Sequence, residues 1–294
     1  SGGMPSYDDF QAKLDFKSNV YNTFSFLTII GGSLYQRDKK GAKEVGEDRY
    51  GELKNNQTTI GFNYKRIWNK KSYSNTSFSY SQQSSTANFL NNISDSTVFK
   101  NIEKTKVKNV RQINHLKLNQ NLNLEFGFDF QNTSIGYNYF RKLPESNIFL
   151  KEIAFYEDVL INNYAAFITI KNNISKRLIL SAGLRLDKND YEKINLYSPR
   201  LNIDYEVFRG KTNLILNIGK YHQNPPGIYV ANDISKVLKS VKAFQYSLNL
   251  EQMITPSTKL TISGYQKNYE DSPILPNSNL FQDPTFLFDE LRMY

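Results

Sequence analysis

The feature of this sequence that most constrains its fold is a two-residue alternation of apolar and polar side chains. Residues 121–131 read Asn-Leu-Asn-Leu-Glu-Phe-Gly-Phe-Asp-Phe-Gln. Successive side chains of a β-strand point to opposite faces, so this segment predicts a strand with one apolar and one polar face. The apolar face carries Leu122, Leu124, Phe126, Phe128 and Phe130.

The same alternation recurs along most of the chain. It predicts about twelve strands, most of them longer than the roughly five or six residues usual in soluble sheets. About ten residues at the tilt of a barrel cross a hydrocarbon layer. The predicted strands are 7–17, 22–36, 57–68, 72–82, 107–118, 121–131, 163–173, 177–187, 199–208, 212–221, 243–254 and 258–269.

The connections between these strands alternate in length. Short turns are expected at 18–21, 69–71, 119–120, 174–176, 209–211 and 255–257. Long loops are expected at 37–56, 83–106, 132–162, 188–198 and 222–242, with another beginning at 270. In an antiparallel sheet this order places every short turn at one rim and every long loop at the other, as in outer-membrane barrels.

We therefore predict an all-β fold, a transmembrane antiparallel up-and-down β-barrel. The phenylalanines of 121–131 are expected to face lipid, and Glu125 and Asp129 to face the lumen. A soluble β-sandwich is the alternative, because its strands also alternate. Greek-key crossings in a sandwich do not sort connections by length, so the barrel is favoured.

Composition narrows the class of protein further. Hydrophobic residues make up 39% and aromatic residues 14% of the chain, which suits a sheet with a single apolar face. The net charge is +9, but lysine and arginine are scattered through turns and polar faces, so no nucleic-acid partner is expected. The chain has no cysteine, which excludes disulfides and thiolate metal sites.

Several stretches resemble the barrel of TonB-dependent outer-membrane transporters, particularly those of Bacteroidetes-type bacteria. Leu180-Ser-Ala-Gly-Leu-Arg-Leu-Asp187 resembles a recurrent Gly-Leu-Arg strand of that family, and Ser198-Pro-Arg-Leu-Asn-Ile-Asp-Tyr205 resembles the strand that follows it. Further similar stretches, in the same order as in the family, are Pro5–Asp15, Gly219–Pro226, Phe244–Glu251 and Gly264–Pro273.

The resemblance implies a barrel of 22 strands around an N-terminal plug, in the outer membrane of a Gram-negative bacterium. It implies import of a scarce solute (siderophore, vitamin, glycan or peptide) with energy from an inner-membrane TonB complex acting on the plug. Implied partners are outer-membrane lipid, the plug, the remaining strands and a surface lipoprotein.

The sequence departs from this family pattern at both ends. It shows no plug and no signal peptide, and 281–294 reads as a loop and not as a closing strand. We therefore expect residues 1–294 to be a partial β-barrel domain, with further strands on both sides. A self-contained passive channel or barrel adhesin of twelve strands is the alternative.

Catalytic constellations are scarce in the sequence. His115 and His222 lie far apart without metal-type spacing, and there is no Gly-rich phosphate loop and no Gly-x-Ser-x-Gly elbow. We expect no enzyme activity, no cofactor and no metal site.

Two groups of residues are candidates for binding roles. Polar residues of two adjacent strands are expected to face the lumen and contact water or a plug: Arg185, Asp187, Arg200, Asp204 and Glu206. Loop residues that mix aromatic and cationic side chains are candidates for contact with a solute. These are Tyr137, Tyr139, Phe140, Arg141, Phe155 and Tyr156 in the longest predicted loop, and Tyr221 and His222 at the start of another.

Overall fold

The computed structural model describes residues 3, 5–143, 152–232 and 238–272. In these ranges twelve strands form one antiparallel sheet, and each strand is hydrogen-bonded to the next strand in the chain. The predicted strands and their up-and-down order are confirmed. The strands are β1 (Pro5–Asn19), β2 (Asn22–Arg37), β3 (Arg49–Asn69), β4 (Ser72–Asn91), β5 (Thr97–Lys117), β6 (Leu122–Lys142), β7 (Glu152–Asn173), β8 (Leu178–Asn189), β9 (Asn195–Phe208), β10 (Thr212–Gln223), β11 (Val241–Thr255) and β12 (Thr258–Glu270).

Within the described residues, two six-residue helices lie in the connections, α1 (Lys39–Glu44) after β2 and α2 (Gly227–Asn232) after β10. Neither helix is long and apolar enough to cross a membrane. The segment 281–294, predicted to be a loop, lies outside the described residues.

The sheet is open at both edges within the described residues. β1 pairs only with β2, and β12 pairs only with β11. Both edge strands are exposed along their whole length. Their outer edges therefore present rows of backbone N–H and C=O groups that are able to pair with further strands.

In the half of the sheet nearer the short turns, the register aligns most of the apolar residues on one face, the outward face. Phe24 pairs with Phe16, and Phe62 pairs with Phe26 and Phe78. The rings follow one another across the sheet, with centroids 6.3 Å apart for Phe16 and Phe24 and 6.2 Å apart for Phe62 and Phe78. Phe126 and Phe128 belong to this face and are 40% and 49% exposed. Such an exposed apolar band suits contact with lipid.

The short turns lie at one rim, as predicted, and asparagine side chains close several of them. The Asn19 Oδ1 atom accepts hydrogen bonds from the backbone N–H groups of Tyr21 and Asn22, each at 2.9 Å. Asn119 does the same for Asn121 and Leu122. This is the Asx turn, in which a side-chain oxygen replaces a backbone acceptor.

The long loops predicted at the opposite rim are wrong in extent, because the strands continue into them. β3 to β7 contain 20 to 22 residues each, roughly twice the number needed to cross the hydrocarbon layer. The connections that remain at this rim, the loop rim, are 38–48, 92–96, 143–151, 190–194 and 224–240. They are still longer than the turns at the other rim.

Gly127 lies in β6 between β5 and β7, paired with both Ile113 and Phe167. A Cβ atom at this position would overlap the backbone carbonyl of Gln112 and lie 2.9 Å from Cζ of Phe167. We expect Gly127→Ala to cost about 1–3 kcal/mol, the usual cost of overpacking. Thermal unfolding of the detergent-solubilised protein measures this.

Gly264 in β12 supplies the matched control, because a Cβ atom there would meet no other atom within 4 Å. Gly264→Ala should leave the unfolding temperature unchanged or slightly raised. Equal unfolding temperatures for the two variants would contradict the close contact at Gly127.

Candidate functional site

Aromatic residues gather on the inward face near the loop rim. Tyr137 and Tyr139 lie in β6 and are only 6% and 5% exposed, and Phe155 lies in β7. The prediction that these residues belong to a long loop is therefore wrong. Pairing of β6 with β7 continues in register from Leu122–Asn172 to Lys142–Glu152.

A reversal of polarity explains this error. Near the short-turn rim the outward positions are apolar and the inward ones polar. Beyond Phe130 the outward positions of β6 become Asn132, Ser134, Gly136 and Asn138, whereas the inward ones become Thr133, Ile135, Tyr137 and Tyr139. This half of the strand is expected to lie above the hydrocarbon layer, so its apolar side chains pack inward.

The inward apolar side chains form a small buried cluster that α2 covers. The cluster consists of Ile135, Tyr137, Val159 and Ile161, with Phe155, Val230 and Ala231 packed against it. At the start of α2, Gly227 lies so close to Ile135 and the Tyr137 hydroxyl that the Ile135 side chain would have to move to admit a larger residue. The connection after β10 is thereby docked onto the wall formed by β6 and β7.

Four rings follow one another across β4, β5, β6 and β7, and we call them the inner aromatic row. Their centroids are 6.3 Å apart for Phe89 and Phe99, 5.7 Å for Phe99 and Tyr139, and 5.2 Å for Tyr139 and Phe155. Arg141 of β6 adds a charged side chain next to the row, since it pairs in register with Phe99 of β5. Rings beside a cation form a surface that can bind flat or ring-containing solutes.

The structure separates two predicted residues from this row. Phe140 and Tyr156 have even numbers in β6 and β7 and therefore lie on the outward face. Tyr156 is 68% exposed, and its hydroxyl donates a hydrogen bond to Asp158 at 3.3 Å. Of the predicted residues in β6 and β7, only the odd-numbered ones come together on the inward face.

A second part of the inward face, next to the apolar cluster, is polar. The Arg185 guanidinium lies 2.8 Å from the Asp187 carboxylate and 3.8 Å from that of Asp129. Asp129 also accepts a hydrogen bond from Asn109 at 2.9 Å. These contacts place Asp129, Arg185 and Asp187 on the same face of the sheet, opposite the face of Phe126 and Phe128.

Around this ion-pair network the structure has a small polar cavity of about 150 Å³. Its size suits a few water molecules or one small polar group of a ligand. The lining residues include Gln131, Asn163, Arg185, Asp187, Asn189 and His222.

The remaining predicted residues lie in β9 and β10. The Arg200 guanidinium carbon is 4.7 Å from the centre of the Tyr221 ring, and His222 Nδ1 is 3.0 Å from Ser198 Oγ. Asp204 shares the inward face but lies nearer the short-turn rim, opposite Ile215. Glu206 accepts a hydrogen bond from the backbone N–H of Gly210 at 2.6 Å, so it closes a turn.

A buried hydrogen-bond network that sequence reasoning missed anchors the connection carrying α2. Glu192 accepts from the Ser240 backbone N–H at 2.6 Å and from Asn189 at 3.0 Å, and the Ser240 hydroxyl also donates to it. At the other end of the connection, Asn224 donates to Asn163 at 2.6 Å. Ser240 is fully buried. Isolated Asn, Ser and Glu residues in connections carry no sequence pattern that would reveal such a network.

A larger cavity, of about 630 Å³, lies beside β1 to β4 near the loop rim and was also missed. Arg37 contributes to it, held by Glu47 at 3.3 Å and stacked on Tyr35 at 5.7 Å. Tyr7, Arg49 and Phe89 line it as well. Phe89 joins this cavity to the inner aromatic row.

Charged groups also tie the connections of the loop rim together. Lys39 Nζ lies 2.6 Å from the Asp95 carboxylate, and the Tyr50 hydroxyl donates to the same group at 2.9 Å. The hydrogen bond from Lys39, followed by that from Tyr50, holds the pKa of Asp95 below its usual value. Among the described residues no group of three or more His, Asp and Glu side chains is arranged to hold a metal ion.

Comparison with solved structures identifies the architecture. A mutant of the ferric enterobactin receptor PfeA from Pseudomonas aeruginosa matches with a TM-score of 0.70 at 12% identity, over 90% of this chain and 43% of that one. The siderophore receptor PirA from Acinetobacter baumannii matches at 0.68 and 10% identity, over 91% and 43%. The ferric citrate transporter FecA matches at 0.68 and 12% identity, over 95% and 46%.

This chain thus spans less than half the length of the structures it matches. No curated protein sequence matches it at a significant level. The family model described as "TonB dependent receptor-like, beta-barrel" matches residues 4–286, almost the whole chain. The predicted membrane barrel and its outer-membrane location are those of this family. The chain therefore belongs to the TonB-dependent receptor-like β-barrel family.

Proposed function

We propose that this chain is the part of a TonB-dependent transporter that forms the outer wall and the solute-binding lumen near the cell surface. The observation that carries this proposal is the inner aromatic row, which lies inside the sheet near the loop rim beside the docked helix α2. The loop rim is the extracellular one, by analogy with the long extracellular loops of membrane barrels. A solute arriving from outside would meet these rings first.

The solute we propose has a ring face and polar groups, within the classes of siderophore, vitamin, glycan or peptide. The row offers ring surfaces for stacking, whereas Arg141 and the Arg185–Asp187 pair offer charged partners. The matched structures include receptors for ferric enterobactin and ferric citrate, which agrees with this class. No enzyme activity is part of the proposal.

Residues 1–294 would then be a partial barrel domain, completed to about 22 strands by the rest of the protein. The open edges of β1 and β12 support this, because unpaired backbone groups facing lipid cost several kcal/mol each. Further proposed partners are a plug inside the lumen, the TonB complex acting on that plug and a surface lipoprotein over the loops. A passive channel closed by these twelve strands is the rival function.

Energised uptake distinguishes the two functions. Cells producing the full-length protein are given a radiolabelled ferric siderophore, vitamin, oligosaccharide and oligopeptide in turn. We expect one of the four to accumulate, and accumulation to stop when the TonB gene is deleted or the proton gradient is collapsed. Uptake that persists without TonB and without the gradient would favour the passive channel.

The role of the inner aromatic row is tested with Phe99→Ala, measured as binding of the transported solute to purified protein. Loss of one stacking ring should weaken binding about 10-fold, equivalent to about 1.4 kcal/mol. Phe140→Ala is the matched control, because Phe140 lies on the outward face of the neighbouring strand. Equal loss in both variants would assign Phe99 a structural role only.

A further inference from the structure

The outward face of β5 changes from apolar to cationic toward the loop rim. Val110 belongs to the apolar band, since it pairs with Phe78 on one side and Phe130 on the other. The next three outward positions of the strand are Lys108, Lys106 and Lys104, and all three are exposed. We call these three residues the β5 lysine row. In the sequence Val107 and Thr105 separate the three lysines. Their side chains line up on one face because the segment is a β-strand.

The row lies at the height where lipid headgroups are expected. Lys108 pairs with Tyr80 on β4, and Tyr164 on β7 lies one outward position lower, opposite Phe130 and in line with Val110. Tyrosines at the upper edge of an apolar band mark the membrane interface. From Lys108 to Lys104 the strand rises about 14 Å, or about 10 Å along the membrane normal at a barrel tilt. The three ammonium groups therefore extend from the interface into the headgroup layer.

The row has no acidic partner among the described residues. The nearest carboxylate on the outward face belongs to Asp158 on β7, whose Oδ1 atom leans over Gly136, the residue of β6 that pairs with Lys104. No ion pair joins the two residues in the described part of the chain. Consecutive lysines of the row are about 7 Å apart, so their charges repel one another.

The immediate neighbours of the row are neutral groups that form hydrogen bonds. Lys104 pairs with Ser84 on β4, and Lys106 pairs with Gln82 on β4 and Ser134 on β6. Hydroxyl and amide groups beside ammonium groups supply donors for the oxygens of an anion. Anionic oxygens placed here would offset the repulsion within the row.

We propose that the β5 lysine row binds the phosphate groups of phosphorylated glycolipids in the outer leaflet of the membrane. The apolar band below the row contacts the acyl chains of the same lipids, so one wall of the barrel recognises both parts of the molecule. This inference concerns the outer surface and does not depend on which solute passes through the lumen.

Titration of the full-length protein in detergent with diphosphoryl lipid A tests the proposal, with bound glycolipid counted by native mass spectrometry. The test variant is Lys104→Gln/Lys106→Gln/Lys108→Gln. Each lysine near an anionic surface contributes about 5-fold to binding, so the triple variant should bind roughly 100-fold more weakly. Wild-type binding should also weaken as salt concentration rises, because salt screens exposed charges.

The matched control is Lys70→Gln/Lys71→Gln/Lys176→Gln, which removes three exposed lysines from turns at the short-turn rim. It should bind diphosphoryl lipid A like the wild type. The Lys→Arg variant of the row keeps the charge and should retain binding. If the Gln variant does not fold, the Lys→Arg variant still tests whether charge at these three positions is enough for lipid binding.

Three results would overturn the proposal. One is equal affinity of the row variant and the control variant. Another is equal binding of diphosphoryl lipid A and its phosphate-free form. The third is full displacement of the lipid by millimolar inorganic phosphate, which would make the row a site for the free anion. If the row variant lost binding to an acidic protein but still bound the lipid as the control variant does, this would count as the first result.

Discussion

Phe78→Arg should destabilise the folded protein by about 2–4 kcal/mol, the cost measured for a cation on the lipid face of a barrel near the bilayer midplane. Phe78 lies in β4 on the outward face, is 47% exposed, and its ring centroid is 6.2 Å from that of Phe62. An arginine there would face hydrocarbon and would also remove the ring contact. Urea unfolding of the protein folded into lipid vesicles measures the change in free energy.

Ser79→Arg provides the control for this prediction. Ser79 is the next residue of β4, so its side chain points inward, where polar side chains are the rule. A cation at this position can reach water in the lumen, and we expect a change of less than about 1 kcal/mol. If Ser79→Arg destabilised the protein more than Phe78→Arg, the assignment of outward and inward faces would be reversed.

The face assignment was available from the sequence because hydrocarbon imposes a uniform rule. Within the apolar band most outward residues avoid water in the same way, so alternation alone places Phe126 and Asp129 on opposite faces. The asparagine-rich short turns were equally predictable, since Asx turns depend on local chemistry. The resemblance of residues 180–205 to strands of the family's barrel agreed with both the face assignment and the positions of the short turns.

The upper halves of β3 to β7 were not predictable from alternation of this kind. Above the hydrocarbon layer no solvent enforces an apolar outward face, so Ile135, Tyr137 and Val159 pack inward and the pattern reverses. Read with the rule of the lower half, these segments resemble loops. A reversal of polarity within one continuous period-two pattern is the signal that would have revealed them.

The candidate site was only partly predictable for the same reason. Tyr137, Tyr139 and Phe155 were identified by residue type, but their separation from Phe140 and Tyr156 requires knowledge that both segments are strands. The anchor formed by Glu192 and Ser240 joins residues 48 positions apart. Such a contact depends on the register of four strands and leaves no local trace.

The anchor leads to the second prediction. Glu192→Ala should release the connection 224–240, which carries α2, and raise its rate of proteolytic cleavage about 100-fold in the folded protein. The Glu192 carboxylate accepts three hydrogen bonds, two from Ser240 and one from Asn189. Ser240 and Asn189 are 0% and 3% exposed, so without Glu192 the Ser240 backbone N–H would be buried without a partner. The Ser240 hydroxyl and the Asn189 amide would keep only Asn224 as an acceptor. Together these losses amount to about 3 kcal/mol.

Limited proteolysis followed by mass mapping of the cut sites measures this opening, because cleavage of a locally opened segment follows its opening free energy when closing is fast. Glu206→Ala is the matched control, since Glu206 also accepts a backbone hydrogen bond but closes a turn at the opposite rim. It should leave cleavage at 224–240 unchanged. Because α2 packs beside the inner aromatic row, release of the anchor should also expose that row. Faster cleavage without any change in solute binding would show that α2 does not shape the binding surface.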